Sequence, residues 1–165
     1  LAASEGVEEL AVDHARLFVG PFALLAPPYG SVYLEGERRL MGDSTLEVET
    51  WYRDAGLELA DGFTATADHV AAELEFMYFL AAKELEALHA ADPASAAHLR
   101  SKQRVFINRH LGAWLPDFTR TVEAQARSLF YRGLATATRR FVERDSLHLS
   151  QADGAPAGGD DEALP

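Results

Sequence analysis

Cysteine is absent from the 165 residues, which excludes disulfides, thiolate metal centres and a cysteine nucleophile. Lysine is scarce: Lys83 and Lys102 are the only two, and neither stands in a glycine-rich phosphate loop. No run of 18 consecutive apolar residues occurs, so no stretch reads as a membrane span. Positive charge is also short, with 15 Lys and Arg against 26 Asp and Glu and a formal net charge of −11. That balance argues against a general nucleic-acid binder, whose backbone contacts need a basic surface, and favours cationic partners such as basic peptides. The opening at Leu1 has neither the basic start nor the apolar stretch of a secretory signal. The expected compartment is the cytoplasm, and further chain is expected upstream of Leu1.

What is present suffices for one core, since 48% of the residues are apolar and 25% charged. Val7, Leu10, Ala11, Leu17 and Phe18 share a helical stripe whose gap His14 fills, and this first helix is expected to end near Gly20-Pro21. From there to about Asp43 the density of turn formers predicts a long ordered loop without regular structure. Ser44 and Glu47 read as a capping box opening a helix of about three turns that Gly56 caps at its end.

Asp68 stands at an N-cap position. Behind it Val70, Leu74, Met77, Ala81, Leu85 and Leu88 repeat at helical intervals. The nearly continuous apolar stretch 74–80 predicts a helix covered on several sides, with Leu74 and Met77 at the centre of the bundle. Asp92-Pro93 ends that helix. The next carries Leu99, Phe106, Ile107, His110, Leu111 and Trp114 and stops before Pro116. Phe118, Val122 and Ala126 continue as another, and Leu129, Phe130, Leu134, Ala137, Phe141 and Val142 form the last. No strand-like alternation competes, so the expected fold is all-α. It is a single bundle of roughly six helices with a long Pro-rich loop, spanning residues 1–149, followed by a disordered acidic tail over 150–165.

Three constellations could carry chemistry. His69 and Glu73, four apart on a helix and adjoined by Asp68, have a spacing that permits shared metal ligation, although capping alone explains Asp68. Glu73 and Glu75 flank the most apolar part of the central helix, but two apart they point to different sides, which disfavours a cooperating acid–base pair. His14 and His110 lie on apolar stripes and read as core histidines, and Trp51 and Trp114 as core aromatics. The loop aromatics Phe22, Tyr29 and Tyr33, set among prolines, fit either an apolar peptide-docking surface or a loop packed on the bundle.

The order of motifs says more than any one of them. Arg16-Leu17-Phe18-Val19-Gly20-Pro21 precedes Pro27-Pro28-Tyr29-Gly30-Ser31-Val32-Tyr33, and Asp68-His69-Val70 then runs into Glu73-Leu74-Glu75-Phe76-Met77. His110-Leu111 with Trp114-Leu115-Pro116 follows, and Phe130-Tyr131 closes the series. Over about residues 10 to 142 this order resembles the TorD/DmsD/NarJ family of redox-enzyme maturation chaperones. The resemblance implies a cytoplasmic, non-enzymatic, all-helical chaperone with no cofactor of its own. Its implied partners are the apo-catalytic subunit of a molybdenum or tungsten oxidoreductase and that subunit's twin-arginine signal peptide; it would assist cofactor insertion and delay export. It further implies that Pro27, Pro28, Tyr29, Asp68 and His69 take part in peptide recognition. Tyr33 and Glu73 complete the expected peptide site, with Asp68 and Glu73 offering charge to the peptide's cationic start. The chain departs from the family pattern at Gly30, where an acidic residue is usual, at Thr66-Ala67, where a proline is usual, and near His14, where a tyrosine is often found. The alternative from another class is a nucleotide- or metal-dependent hydrolase using Asp68, His69 and Glu73. A bundle with a long linking loop can also exchange elements between protomers, which makes a homo-oligomer an expected form.

Overall fold

A computed structural model describes residues 6–20, 24–35 and 40–151. Pro21 and Phe22 of the Pro-rich loop, and the tail from residue 152 on, lie outside the described residues. Among the described residues the chain forms seven α-helices and no strand. These are α1 (Val7–His14), α2 (Gly30–Leu34), α3 (Asp43–Asp54), α4 (Val70–His89), α5 (Pro93–Arg109), α6 (Leu111–Gln125) and α7 (Leu129–Gln151). No helix among them is long and apolar enough to cross a membrane.

Helix ends show where local sequence decides and where distant residues override it. α1 runs on through a wider, π-helical turn over Ala15–Val19 and stops at Gly20, whose φ of 45° suits glycine. At the end of α3, Gly56 takes φ 74° while its N–H bonds the Arg53 carbonyl and the Leu57 N–H bonds that of Tyr52, the paired pattern of a Schellman cap. Asp92 caps α5 through the Ser95 N–H at 3.0 Å, with Pro93 in the first turn. The Ser44–Glu47 capping box does not form. α3 starts two residues earlier, with Gly42 at the N-cap and Asp43 its first residue, and Glu35 reaches across the loop to accept from both the N–H and the hydroxyl of Ser44, at 2.8 and 2.6 Å.

Nor does Pro116 stop a helix. The break falls at His110 (φ −117°, ψ −97°), and Pro116 sits inside α6. There it forfeits one backbone bond, while the Thr119 hydroxyl bonds the carbonyls of Leu115 and Pro116. The tight α5–α6 corner needs Gly112, because a Cβ there would stand 2.5 Å from the Ile107 carbonyl oxygen.

Two apolar clusters make the core. Val48 and Tyr52 of α3, Phe76, Met77 and Leu80 of α4, Phe106 and Ile107 of α5, Leu111 and Leu115 of α6, and Val142 and Leu149 of α7 form the larger. Leu17, Ala26, Trp114, Phe118, Val122, Ala126 and Ala135 form the smaller, and α6 contributes to both. Asp13 of α1 ties that helix to the start of α7, accepting from the N–H groups of Arg127 and Ser128 at 2.9 Å each and from the Arg16 guanidinium at 2.7 Å.

The sequence stripes of α1, α4 and α7 are rotated relative to the faces that are buried. α4 turns Ala72, Glu73, Phe76, Met77 and Leu80 inward, while Tyr78, Leu85 and Leu88 are exposed and Leu74 is half-buried. On α7 the inward residues are Ala135, Val142 and Leu149, with Phe130, Leu134 and Phe141 outward. His14 is exposed against Phe18 and Tyr131 instead of lying in the core, whereas His110 and Trp114 are buried as expected. Truncation costs should follow this rotation. Leu74→Ala is expected to destabilise by about 1 kcal/mol, less than the same change at the enclosed Leu80, and Arg140→Ala by no more than about 0.5 kcal/mol; denaturant titration of the three variants checks the order.

Candidate functional site: the Tyr29–His69 corner

The Pro-rich loop and the start of α4 are joined by backbone. Tyr29 and His69 form a single antiparallel bridge in which the Gly30 N–H bonds the Asp68 carbonyl and the Val70 N–H bonds the Pro28 carbonyl, both at 2.9 Å. Below this bridge three side-chain bonds hold the strand of chain leading into α4. The Tyr52 hydroxyl donates to the Ala67 carbonyl at 2.9 Å. The Thr66 hydroxyl donates to one Asp68 carboxylate oxygen at 2.6 Å, and the other oxygen accepts the Ser31 N–H at 2.7 Å.

Asp68 therefore caps α2, 37 residues away in sequence, instead of the helix it precedes. The cap of α4 is His69, whose Nδ1 accepts the Ala71 N–H at 3.1 Å. This arrangement explains why 30–34 is a short helix within the stretch expected to be irregular: its second N–H is met by a buried carboxylate that local sequence does not contain.

The expected site residues fall into two layers. Tyr29 and His69 are half-buried, and their rings meet edge to face at 5.2 Å; Phe63, which sequence reasoning missed, extends the ladder at 5.9 Å from His69. Beneath them Pro27 and Pro28 are buried, and Asp68 and Glu73 are fully enclosed. Asp68 and Glu73 consequently offer no surface charge to a peptide, which corrects the electrostatic role expected of them. Glu73 accepts the Trp114 indole N–H at 3.0 Å through Oε2, and its Oε1 has no partner among the described residues. Tyr33 stacks on the same indole at 5.6 Å.

Burial drives the Glu73 carboxyl well above its ordinary pKa; the Trp114 bond opposes the shift and the Asp68 charge adds to it. Burial lowers the His69 imidazole, against the neighbouring Asp68 charge. The Gly30 departure fits this packing. A Cβ there would stand 3.0 Å from the Trp114 Nε1 and 3.3 Å from Glu73 Oε1, so an acidic side chain would press on a carboxylate already buried.

The hydrolase alternative is not supported by the geometry. Asp68 is spent on Ser31 and Thr66, the His69 Nδ1 on its own helix, and Glu73 faces the indole, so the three do not converge. No group of three or more metal-capable side chains stands together among the described residues.

Residues 1–120 match the model of a family described as the nitrate reductase delta subunit. Among curated relatives, a chaperone protein TorD of Shewanella sp. (strain MR-4) is 32% identical over 157 residues, 92% of this chain and 68% of the relative. The chain belongs to the TorD/DmsD/NarJ family. A Tat proofreading chaperone DmsD of Salmonella typhi is 33% identical over 132 residues, 80% of this chain and 58% of the relative. A perchlorate reductase assembly chaperone protein of Dechloromonas aromatica (strain RCB) is 31% identical over 142 residues, 84% of this chain and 61% of the relative. The chain thus spans 58 to 68% of the length of these relatives. Members of the TorD/DmsD/NarJ family are chaperones, which assist the maturation of enzymes and are not themselves enzymes.

Proposed function

We propose that this chain acts in the cytoplasm as the chaperone of a molybdenum or tungsten oxidoreductase, binding the twin-arginine signal peptide and the apo-catalytic subunit, assisting cofactor insertion and holding back export until folding is complete. The names of its relatives support the class of function. The observation that carries the site is the Tyr29–His69 bridge, which presents two half-buried rings on a rigid backbone corner. Tyr29 and His69 contact the peptide, while Pro27, Pro28, Tyr33, Asp68 and Glu73 hold those two rings in place. The formal charge of −11 supplies long-range attraction for a cationic peptide.

Calorimetric titration with a synthetic twin-arginine signal peptide tests this reading. Tyr29→Ala is expected to weaken binding by about 2 kcal/mol at every salt concentration, as loss of an aromatic anchor does. His69→Ala should weaken it too, and since it also removes the α4 cap, with about 1 kcal/mol of stability, its fold is measured beside its affinity. Unchanged affinity in both folded variants would remove the corner from the peptide site.

A further inference from the structure

Segment 57–63 leaves the Schellman cap of α3 and returns toward His69, and between it and the outer face of α4 lies an open groove of about 470 Å³. We propose that this groove seats the apolar stretch of a peptide whose basic residues pair with Glu58 and Glu75; the inference rests on the peptide-binding reading above and assigns that site a second compartment. The groove is built for mixed chemistry. Leu59, Phe63, Tyr78 and Phe79 line it with apolar surface, and Tyr78, 74% exposed, is the most exposed of the large apolar side chains on the outer face of α4, ahead of Leu85 and Leu88. Its rim is acidic. Lys83 neutralises Glu86 at 2.7 Å, but Glu58 and Glu75 form no ion pair among the described residues. An apolar floor beside two unpaired carboxylates complements a segment that is basic at one end and apolar along the rest.

The groove also adjoins the corner. Phe63 belongs both to the groove and to the ring ladder on His69, so the groove is continuous with the Tyr29–His69 corner. Glu75 to Glu86 spans eleven helical steps, or about 16 Å, room for roughly five extended residues. None of Leu59, Glu58 and Glu75 supports the core, because all three are exposed, so their substitution reads binding without unfolding the chain.

The test titrates the chain with a synthetic peptide of two arginines followed by an apolar run, and with its two-glutamine counterpart, at salt concentrations whose screening lengths are about 10 Å and about 3 Å. Leu59→Asp is expected to weaken binding about tenfold at both salt levels, with Leu59→Met retaining it. The double variant Glu58→Gln/Glu75→Gln is expected to weaken binding about tenfold at low salt only, and to abolish the preference for arginine over glutamine. Leu147→Asp, on the exposed side of α7, should change nothing. Wild-type binding that survives all groove substitutions would overturn the groove and leave the corner standing, whereas a wild-type chain that binds neither peptide would overturn both. A wild-type dimer that Leu59→Asp converts to monomer without altering peptide affinity would show that a second copy of the chain covers the groove, and would likewise overturn the proposal.

Discussion

Asp68→Ala should cost about 3 kcal/mol of stability, although the residue forms no ion pair among the described residues. Its carboxylate is fully enclosed and accepts the Ser31 N–H and the Thr66 hydroxyl. Deleting it orphans both donors, at about 1 to 3 kcal/mol for each that stays dry. Thr66 is half-buried and can turn to water, so Ser31, in the first turn of α2, carries most of the loss. Asp68→Asn keeps one acceptor and should cost about 1 kcal/mol. Because the group is enclosed, Asp68→Asn should also leave the salt dependence of peptide binding unchanged, in contrast to the groove carboxylates. Chemical denaturation of both variants, with the titration repeated on the asparagine form, checks the pair; a loss below about 0.5 kcal/mol in Asp68→Ala would mean that α2 does not depend on this cap.

Trp114→Ala is expected to have the largest effect of any single change, about 4 to 5 kcal/mol. The ring is 1% exposed, stacks under Tyr33 and gives Glu73 its hydrogen bond. Trp114→Phe retains most of the packing but strips Glu73 of that donor, and about 2 kcal/mol should follow. Glu73 itself makes stability depend on pH in a definite direction. Its folded pKa lies above its ordinary value of 4.5, so the folded state holds the proton more tightly. That contribution is complete below about pH 4.5 and is lost as pH rises through the folded value.

Glu73→Gln keeps an acceptor for the indole and removes the titration. Its stability relative to wild type should therefore climb as pH rises from 4.5. His69 and His110, both lowered by burial, act in the opposite sense: their contribution is complete above about pH 6.5 and is lost as pH falls. Those terms are common to both proteins and cancel in the difference. A difference that stays flat with pH would mean that Glu73 is not held in the protonated form.

Much of the helical layout was legible because its signals are local. Asp92-Pro93 and Gly56 act within one turn, and the 3.6-residue period of each helix is written in its own residues. What was hidden is non-local. α4 carries two apolar stripes, one through Phe76, Met77 and Leu80 and the other through Leu74, Tyr78, Leu85 and Leu88. Periodicity cannot say which turns inward when a buried Glu73 sits on the true core face. The caps of α2 and α3 come from Asp68 and Glu35 across loops, so the nearby Ser44 and Glu47 misled.

The site was legible chiefly through motif order. The two bonds of the Tyr29–His69 bridge run through the backbone of the flanking residues and leave no side-chain period to read. Thr66, two residues before Asp68, was the one local hint that this carboxylate had a partner of its own. Phe63 gave no hint at all, because it lies in an irregular segment whose ring contact depends on how that segment returns to α4.

The most direct test is to purify the tagged chain from cells that make its own client and to identify what comes with it. The expected companion is a molybdenum or tungsten oxidoreductase catalytic subunit that still carries its twin-arginine signal peptide, holds no cofactor, and leaves the chain once the cofactor is loaded. Recovery of a cofactor-loaded, mature enzyme that stays bound to the chain would contradict it.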